Sequence, residues 1–437
     1  MGGAVAGRRA RNAGSGLGQT IRRTVLPNGL QVITEAIRAS RTVAIGIFAR
    51  VGSRQESATL HGASHFLEHV LFKGTPTRSA EQISSSIESV GGELNAYTAK
   101  EHTCFYARVL HSDGPLVVDV LSDMISNSLI TSHDVAAERA VILDEIAMHG
   151  DDPAELVSEL VTAQLLSGVG LGRPVIGSPG SIAAMSRSQI VRHWRRHYQP
   201  TSLVVAAAGR VDHDRLVDQL AALDGRERRA EPRAPAPSTI DLSGGLVSRQ
   251  IRLEQSTAML AFPGLSVFDE RRYVSGLLAL ILGGGMASRL FLEVRERRGL
   301  TYGIDAGESA YSDAGIWSVD WQCAPGRLQP IVELVRASLL EVAELGVSED
   351  ELARAKGQMR GQTVLSFESA SSRMSRLGIN AVLGDDRTLA EILSRFDAVT
   401  VDEVRQVAAE LFSRTPVLGV VGPKPPTRRV EALIGRW

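Results

Sequence analysis

Gly62-Ala63-Ser64-His65-Phe66-Leu67-Glu68-His69-Val70-Leu71-Phe72-Lys73-Gly74-Thr75 carries more information than any other part of the 437-residue sequence, and most of it sits between His65 and His69. Residues four apart on an α-helix lie about 40° apart around the axis and one turn along it, so the two imidazoles face one point. That is a clamp for a metal ion. Glu68 lies on the neighbouring part of the same face, within reach of a water at the ion, yet next in sequence to a ligand. The position suits a general base better than a third ligand. Phe66, Leu67, Val70 and Leu71 form the packing face. A hydrolytic zinc site takes three protein ligands and leaves a fourth position for water, so another donor must arrive from elsewhere. Glu145 is the candidate, in the helical run Ser132 to Ile146 with Ser132 as N-cap. Glu138 stands two turns before it on the same face; alone, the two glutamates would read as a solvated helix surface.

His65-Phe66-Leu67-Glu68-His69, followed 76 positions later by the last residue of Glu138-Arg139-x-Val141-Ile142-x-x-Glu145, resembles the inverzincin metallopeptidases. More narrowly it resembles the pitrilysin family, which includes mitochondrial processing peptidase and bacterial half-length homologues of insulin-degrading enzyme. The resemblance implies Zn2+ bound by His65, His69 and Glu145, with Glu68 as catalytic base. Glu138 falls on the family's supporting acidic position, where a carboxylate orients a ligand.

The rest of the chain sets the bounds. Its length exceeds one ordinary domain, and its formal net charge of −1 gives no reason to expect a nucleic-acid partner. Cys104 and Cys323 make no disulfide framework or metal pattern and read as buried thiols in a reducing, cytoplasmic setting. Arginine supplies nearly all the positive charge; the lysines are Lys73, Lys100, Lys356 and Lys424. Residues 1–21 read as a disordered tail: basic and acid-free at the start like a transit peptide, but too glycine-rich for an amphipathic helix. No apolar run is long enough to span a bilayer, so no membrane partner is expected; Tyr273 to Leu282 comes nearest and stops at Gly283-Gly284-Gly285.

A first domain is expected over 22–223. Strands follow the Asn28-Gly29 turn, and Thr42 to Arg50 alternates as a half-buried strand should. A helix after Ser79 ends at Gly91-Gly92, and Thr103 to Val109 alternates again. In the resembling family the intervening segment is an edge strand that pairs with the substrate backbone, a role implied here for Asn95 and Ala96. Glu155 and Glu159, four apart on one helix face, match acidic positions that contact a substrate arginine in processing peptidases, implying a preference for basic peptides. His193 and His197 share the four-residue spacing, but no glutamate motif supports them and they read as packing residues.

Residues 224–247, rich in charge and proline, form a linker. Residues 248–437 then read as a degenerate copy of the first domain. Laying Ser348 on Ser132 puts Arg354 where Glu138 stands and Gly361 where Glu145 stands, and Pro416 to Val421 repeats Leu203 onward. All ten histidines, His61 to His213, precede the linker. The copy keeps a scaffold and lacks the metal ligands. Within it Arg295 and Tyr302, seven apart, match the Arg…Tyr pair that this family uses to hold substrate and stabilise the oxyanion.

The expected fold class is α+β: two homologous domains, each a mostly antiparallel or mixed sheet packed by helices, together half of a clamshell. By resemblance the chain is a zinc endopeptidase for short or unfolded peptides, working as a homodimer or as a heterodimer with a related half-chain. The alternatives are a non-catalytic assembly subunit of the same fold, or the presequence-processing subunit of a heterodimer.

Overall fold

The computed structural model describes residues 13–15, 19–167, 170–222, 240 and 243–437. Its first sheet has seven strands: Ala13–Ser15 (β1), Gln19–Val25 (β2), Gln31–Ala36 (β3), Thr42–Ala49 (β4), Glu93–Thr98 (β5), Thr103–Leu110 (β6) and Leu203–Gly209 (β7). They run in the order β1-β2-β3-β7-β4-β6-β5. The turn from β2 to β3 needs Gly29: its φ is 95°, and a Cβ there would lie 2.6 Å from Thr201 Cγ2. Asn28 Oδ1 completes the turn by accepting the Leu30 N–H at 2.9 Å.

The second sheet has five strands, Gly245–Gln250 (β8), Ser256–Pro263 (β9), Ile304–Ala310 (β10), Gly315–Cys323 (β11) and Val417–Gly422 (β12), in the order β10-β11-β9-β12-β8. Read as β3-β7-β4-β6-β5 and β8-β12-β9-β11-β10, the two sheets have one connectivity. In each, the one parallel pairing falls in the same place, β3 with β7 and β12 with β8. The repeat expected from the sequence is therefore present as topology, in an α+β fold.

The compact units do not coincide with the two halves of the chain. One holds the described residues of Met1–Leu143, Val175–Pro235 and Leu365–Thr388; the other holds those of Asp144–Pro174, Ala236–Val364 and Leu389–Trp437. Two helices account for the exchange. Ala370–Leu383, from the second half, lays Met374, Leu377 and Ala381 on Ala44, Phe48, Val204 and Ala206 of the first sheet. Pro153–Leu165, from the first half, lays Leu156, Val157, Val161 and Leu165 on Met259, Ala261, Val417 and Val421 of the second. Each large apolar side chain so covered contributes about 1.5–3 kcal/mol.

This exchange corrects the expected burial of β4. The strand is buried on both faces, because the second-half helix covers Ala44, Gly46 and Phe48 while the helix Gly114–Asn127 starts against Val43 and Ile45. Small residues on the Ala44 and Gly46 side, which look like a weak alternation, are what let a helix approach. Strand structure also appears inside the segment expected to be a disordered tail. Residues 13–15 pair with 19–21, and Thr20 already pairs with Ala36 of β3, so backbone ladder bonds hold this segment despite its glycine-rich flank. The remainder of that tail, residues 1–12 and 16–18, and most of the linker, 223–239 and 241–242, lie outside the described residues. After the stop at Gly283-Gly284-Gly285 the helix type changes: Arg272–Gly283 is α-helical and Phe291–Glu296 forms a π-helical turn. Between them Gly285 takes φ 153°, and Gln358 Nε2 donates to Gly284 O at 2.6 Å. Among the described residues no helix is long and apolar enough to cross a membrane.

Candidate metal centre

The helix Ala63–Leu71 carries the His-x-x-Glu-His residues, with Phe66, Leu67, Val70 and Leu71 fully buried on its packing side. Its entry is unusual. Gly62 has φ 89° and sits so close to Gly177 and Ile182 that a Cβ would meet the Gly177 Cα at 2.8 Å. A side chain six residues upstream does the capping: Glu56 accepts the N–H of Gly62 at 2.7 Å and of Ser64 at 2.6 Å. This buried carboxylate satisfies orphan donors and complements the positive end of the helix.

The His65 and His69 rings stand 4.6 Å apart at 69°. The helix Ser132–Asp151 brings the carboxylates, and its cap is one residue earlier than the sequence suggested: Thr131 Oγ1 accepts the Asp134 N–H at 3.1 Å. Arg139 anchors the helix by donating to the backbone oxygens of Ile182 and Met185 at 3.2 and 2.7 Å. Because the helix is unbroken from Ser132 to Asp151, the offset between Glu138 and Glu145 is set by its geometry alone. Ligand atoms of His65, His69 and Glu145, all three residues half-buried, lie within 4.8 Å of one another. A tetrahedral zinc with bonds of about 2.0–2.1 Å needs donors about 3.3–3.5 Å apart, so small side-chain adjustments close the set. Two imidazoles and one carboxylate leave a fourth position for water, and the donor set fits zinc.

The orientation of one ligand is fixed from behind. His69 Nδ1 is 3.0 Å from Glu138 Oε2, so a proton on Nδ1 is held there and Nε2 is left as the donor to a metal. Lys73 Nζ lies 2.6 Å from the other Glu138 oxygen. Glu68 Oε2 accepts the Thr98 hydroxyl at 2.5 Å. Thr98 ends β5, the last strand of the sheet, which also carries Asn95 and Ala96. Asn95 Oδ1 accepts the Ala96 N–H at 2.8 Å, so that edge donor is met by its own neighbour.

The other residues marked by the sequence are placed as follows. Glu155 is exposed and Glu159 half-buried on the helix Pro153–Leu165, whose N-cap is Asp152 and whose apolar side covers the second sheet. Arg295 and Tyr302 come together in the second unit. The guanidinium sits 5.1 Å from the Tyr302 ring centroid and 4.5 Å from that of Phe291, and Tyr302 is 86% exposed, not a core residue. The Arg295 backbone lies in the π-helical turn, a geometry common at functional sites. His193 and His197 are buried, and burial lowers them to about 3 and about 4. Ser64 Oγ, 3.2 Å from His193 Nε2, ties that pair to the metal helix as packing. Both cysteines are buried free thiols; burial raises Cys323 to about 11 and Cys104 higher still.

Sequence reasoning missed Thr98, Lys73 and Glu56. Lys73 had a usable signal, since it is four residues past His69, on the side from which Glu138 approaches.

Residues 31–179 match the family "Insulinase (Peptidase family M16)" and residues 184–359 match "Peptidase M16 inactive domain". An uncharacterized zinc protease of Streptomyces coelicolor is 45% identical over 412 residues, covering 92% of this chain and 90% of that one. One from Mycobacterium tuberculosis is 43% identical over 425 residues, 95% and 97% of the two chains. One from Bacillus subtilis is 34% identical, covering 92% and 98%. In fold, the chain is similar to a protease from Helicobacter pylori (TM-score 0.88, 18% identity, 93% and 100% covered). It is likewise similar to a peptidase M16 inactive domain from Pseudomonas fluorescens (TM-score 0.85, 19% identity, 93% and 98% covered). With a candidate metal-ligand set in its first half, none among the described residues of its second, and relatives of this similarity along nearly its whole length, the chain belongs to the insulinase family of peptidases, family M16.

Proposed function

We propose that the protein is a zinc-dependent endopeptidase acting on short or unfolded peptides, with a preference for basic ones, as a homodimer that encloses its substrate. The observation that carries this reading is the convergence of His65, His69 and Glu145 beside Glu68. Bound there, Zn2+ would supply a Lewis acid that polarises the scissile carbonyl and makes a water nucleophilic near neutral pH. Glu68, steadied by the Thr98 hydroxyl, accepts the proton the attacking water loses and passes it to the departing amine. Glu138 holds His69 to one ring orientation through the reaction. The edge of β5 aligns the peptide main chain along Asn95 and Ala96, the Ala96 N–H exchanging its Asn95 Oδ1 partner for the peptide. Glu155 and Glu159 receive a basic side chain. Arg295 and Tyr302 stabilise the oxyanion, and the absence of histidine beyond His213 confines imidazole chemistry to the first half.

Hydrolysis of an internally quenched, arginine-containing peptide tests the reading. Cleavage should stop with a zinc chelator. Glu68→Gln should keep its zinc and lose activity by about 10²–10⁴-fold, the range for a positioned acid–base group. Undiminished cleavage by that variant would remove Glu68 as the base.

A further inference from the structure

The proposed reaction leaves one cation beside the metal clamp without a task. Lys73 Nζ is 2.6 Å from Glu138 Oε1, while Oε2 of the same carboxylate meets His69 Nδ1 at 3.0 Å. Glu138 is only 5% exposed, so water screens its charge little and the groups that touch it set its orientation. The lysine is itself anchored. Its N–H donates to Val70 O at 3.2 Å, Gly74 bridges to Ser79, and Gly74 O accepts the Leu129 N–H at 3.1 Å. The stem thus leaves a closed turn, and the ammonium reaches a carboxylate on a different helix.

We propose that Lys73 is a positioning residue of the metal centre: its ammonium grips Glu138 Oε1 and so turns the carboxylate to hold His69 with Nε2 facing the ion. The inference rests on His65, His69 and Glu145 being the metal ligands. Of the two imidazoles, His69 is the one this relay reaches. Without the ammonium, one oxygen of a buried carboxylate loses its charge partner and rotates towards another donor or admits water. Either motion loosens the Oε2 contact on which the ring angle depends.

The test is zinc affinity, measured on the full-length protein by competition with a chromogenic chelator for wild type, Lys73→Met, Glu138→Gln and the double variant. Lys73→Met should weaken zinc about tenfold, at the low end for partners that orient a ligand. Glu138→Gln should weaken it at least as much, and the double variant should be no weaker than Glu138→Gln alone, because the lysine acts through that carboxylate. Metal-free Lys73→Met should melt below wild type, because Glu138 loses its charge partner, so the double variant separates positioning from a general structural role: it has no unpaired buried carboxylate, yet its zinc affinity should still follow Glu138→Gln; Lys73→Gln replaces Lys73→Met if the methionine variant does not fold. Wild-type affinity in Lys73→Met would overturn the inference while leaving the metal centre standing. Losses that multiply in the double variant would also overturn it. Failure of the wild-type protein to bind zinc would remove the metal centre and the inference together.

Discussion

At the scale of single residues, what could be seen in advance depended on how far apart the partners stand in the chain. His65, Glu68 and His69 fall within one helical turn, so their shared face follows from helix geometry. Thr98 meets Glu68 across 30 positions, and Lys73, in the turn after the metal helix, meets Glu138 on another helix 65 positions on, so neither pairing has a periodic signature. Glu56 caps a helix six residues ahead of it because a positive-φ glycine bends the chain back, which no capping rule anticipates. His193 gives a residue-scale prediction. Burial is the main cause that lowers it to about 3, with the charges of His197 and Arg196 adding to it, against an unfolded value of about 6.5. Between those values the unfolded chain binds the extra proton, so the neutral ring's contribution is complete above about pH 6.5 and is lost as pH falls towards 3. Urea unfolding of the wild type should weaken by up to about 1.4 kcal/mol per pH unit from this group below pH 6.5, and His193→Gln should show a correspondingly flatter acid limb.

At the scale of elements, strands and helices were legible where their apolar period is local, and misread where a distant segment changes the environment. β4 alternates as a one-sided strand does, yet is buried on both sides because a helix more than 300 residues later covers Ala44, Gly46 and Phe48. That contact is close enough to be tested at one atom. Gly378 lies against the Phe48 ring, where a Cβ would fall 2.1 Å from Cε2, and the ring is fully buried with no flexible end to yield. Gly378→Ala should destabilise the protein by about 1–3 kcal/mol despite the higher helix propensity of alanine, read as a lower urea midpoint at unchanged m-value. The break at Gly283-Gly284-Gly285 was visible as a stop for a membrane span, but the π-helical turn that follows was not, since nothing in Phe291 to Glu296 departs from an ordinary helical pattern.

At the scale of the whole molecule, the two sheets share one strand order and trade one helix each, so neither half of the sequence contains everything that covers its own sheet. The repeat could be inferred from the spacing of similar elements; the trade could not, because an apolar helix face shows that the helix packs but not which sheet it covers. A fragment ending at residue 223 lacks Met374, Leu377 and Ala381 and exposes Phe48, Val204 and Ala206 on a sheet face. It should show no cooperative thermal transition, and adding a 365–388 peptide should raise its ordered signal if the missing cover is the cause; cooperative unfolding of the fragment alone would refute this. The same arrangement imposes an order in time. A ribosome finishes the candidate metal-binding motif within the first 145 residues but does not reach the end of the segment that closes β4 until almost 390 have been made, so the first sheet is completed only when most of the second half has been synthesised too. A prematurely terminated chain would therefore carry every candidate zinc ligand and still lack the helix that closes the sheet beneath them.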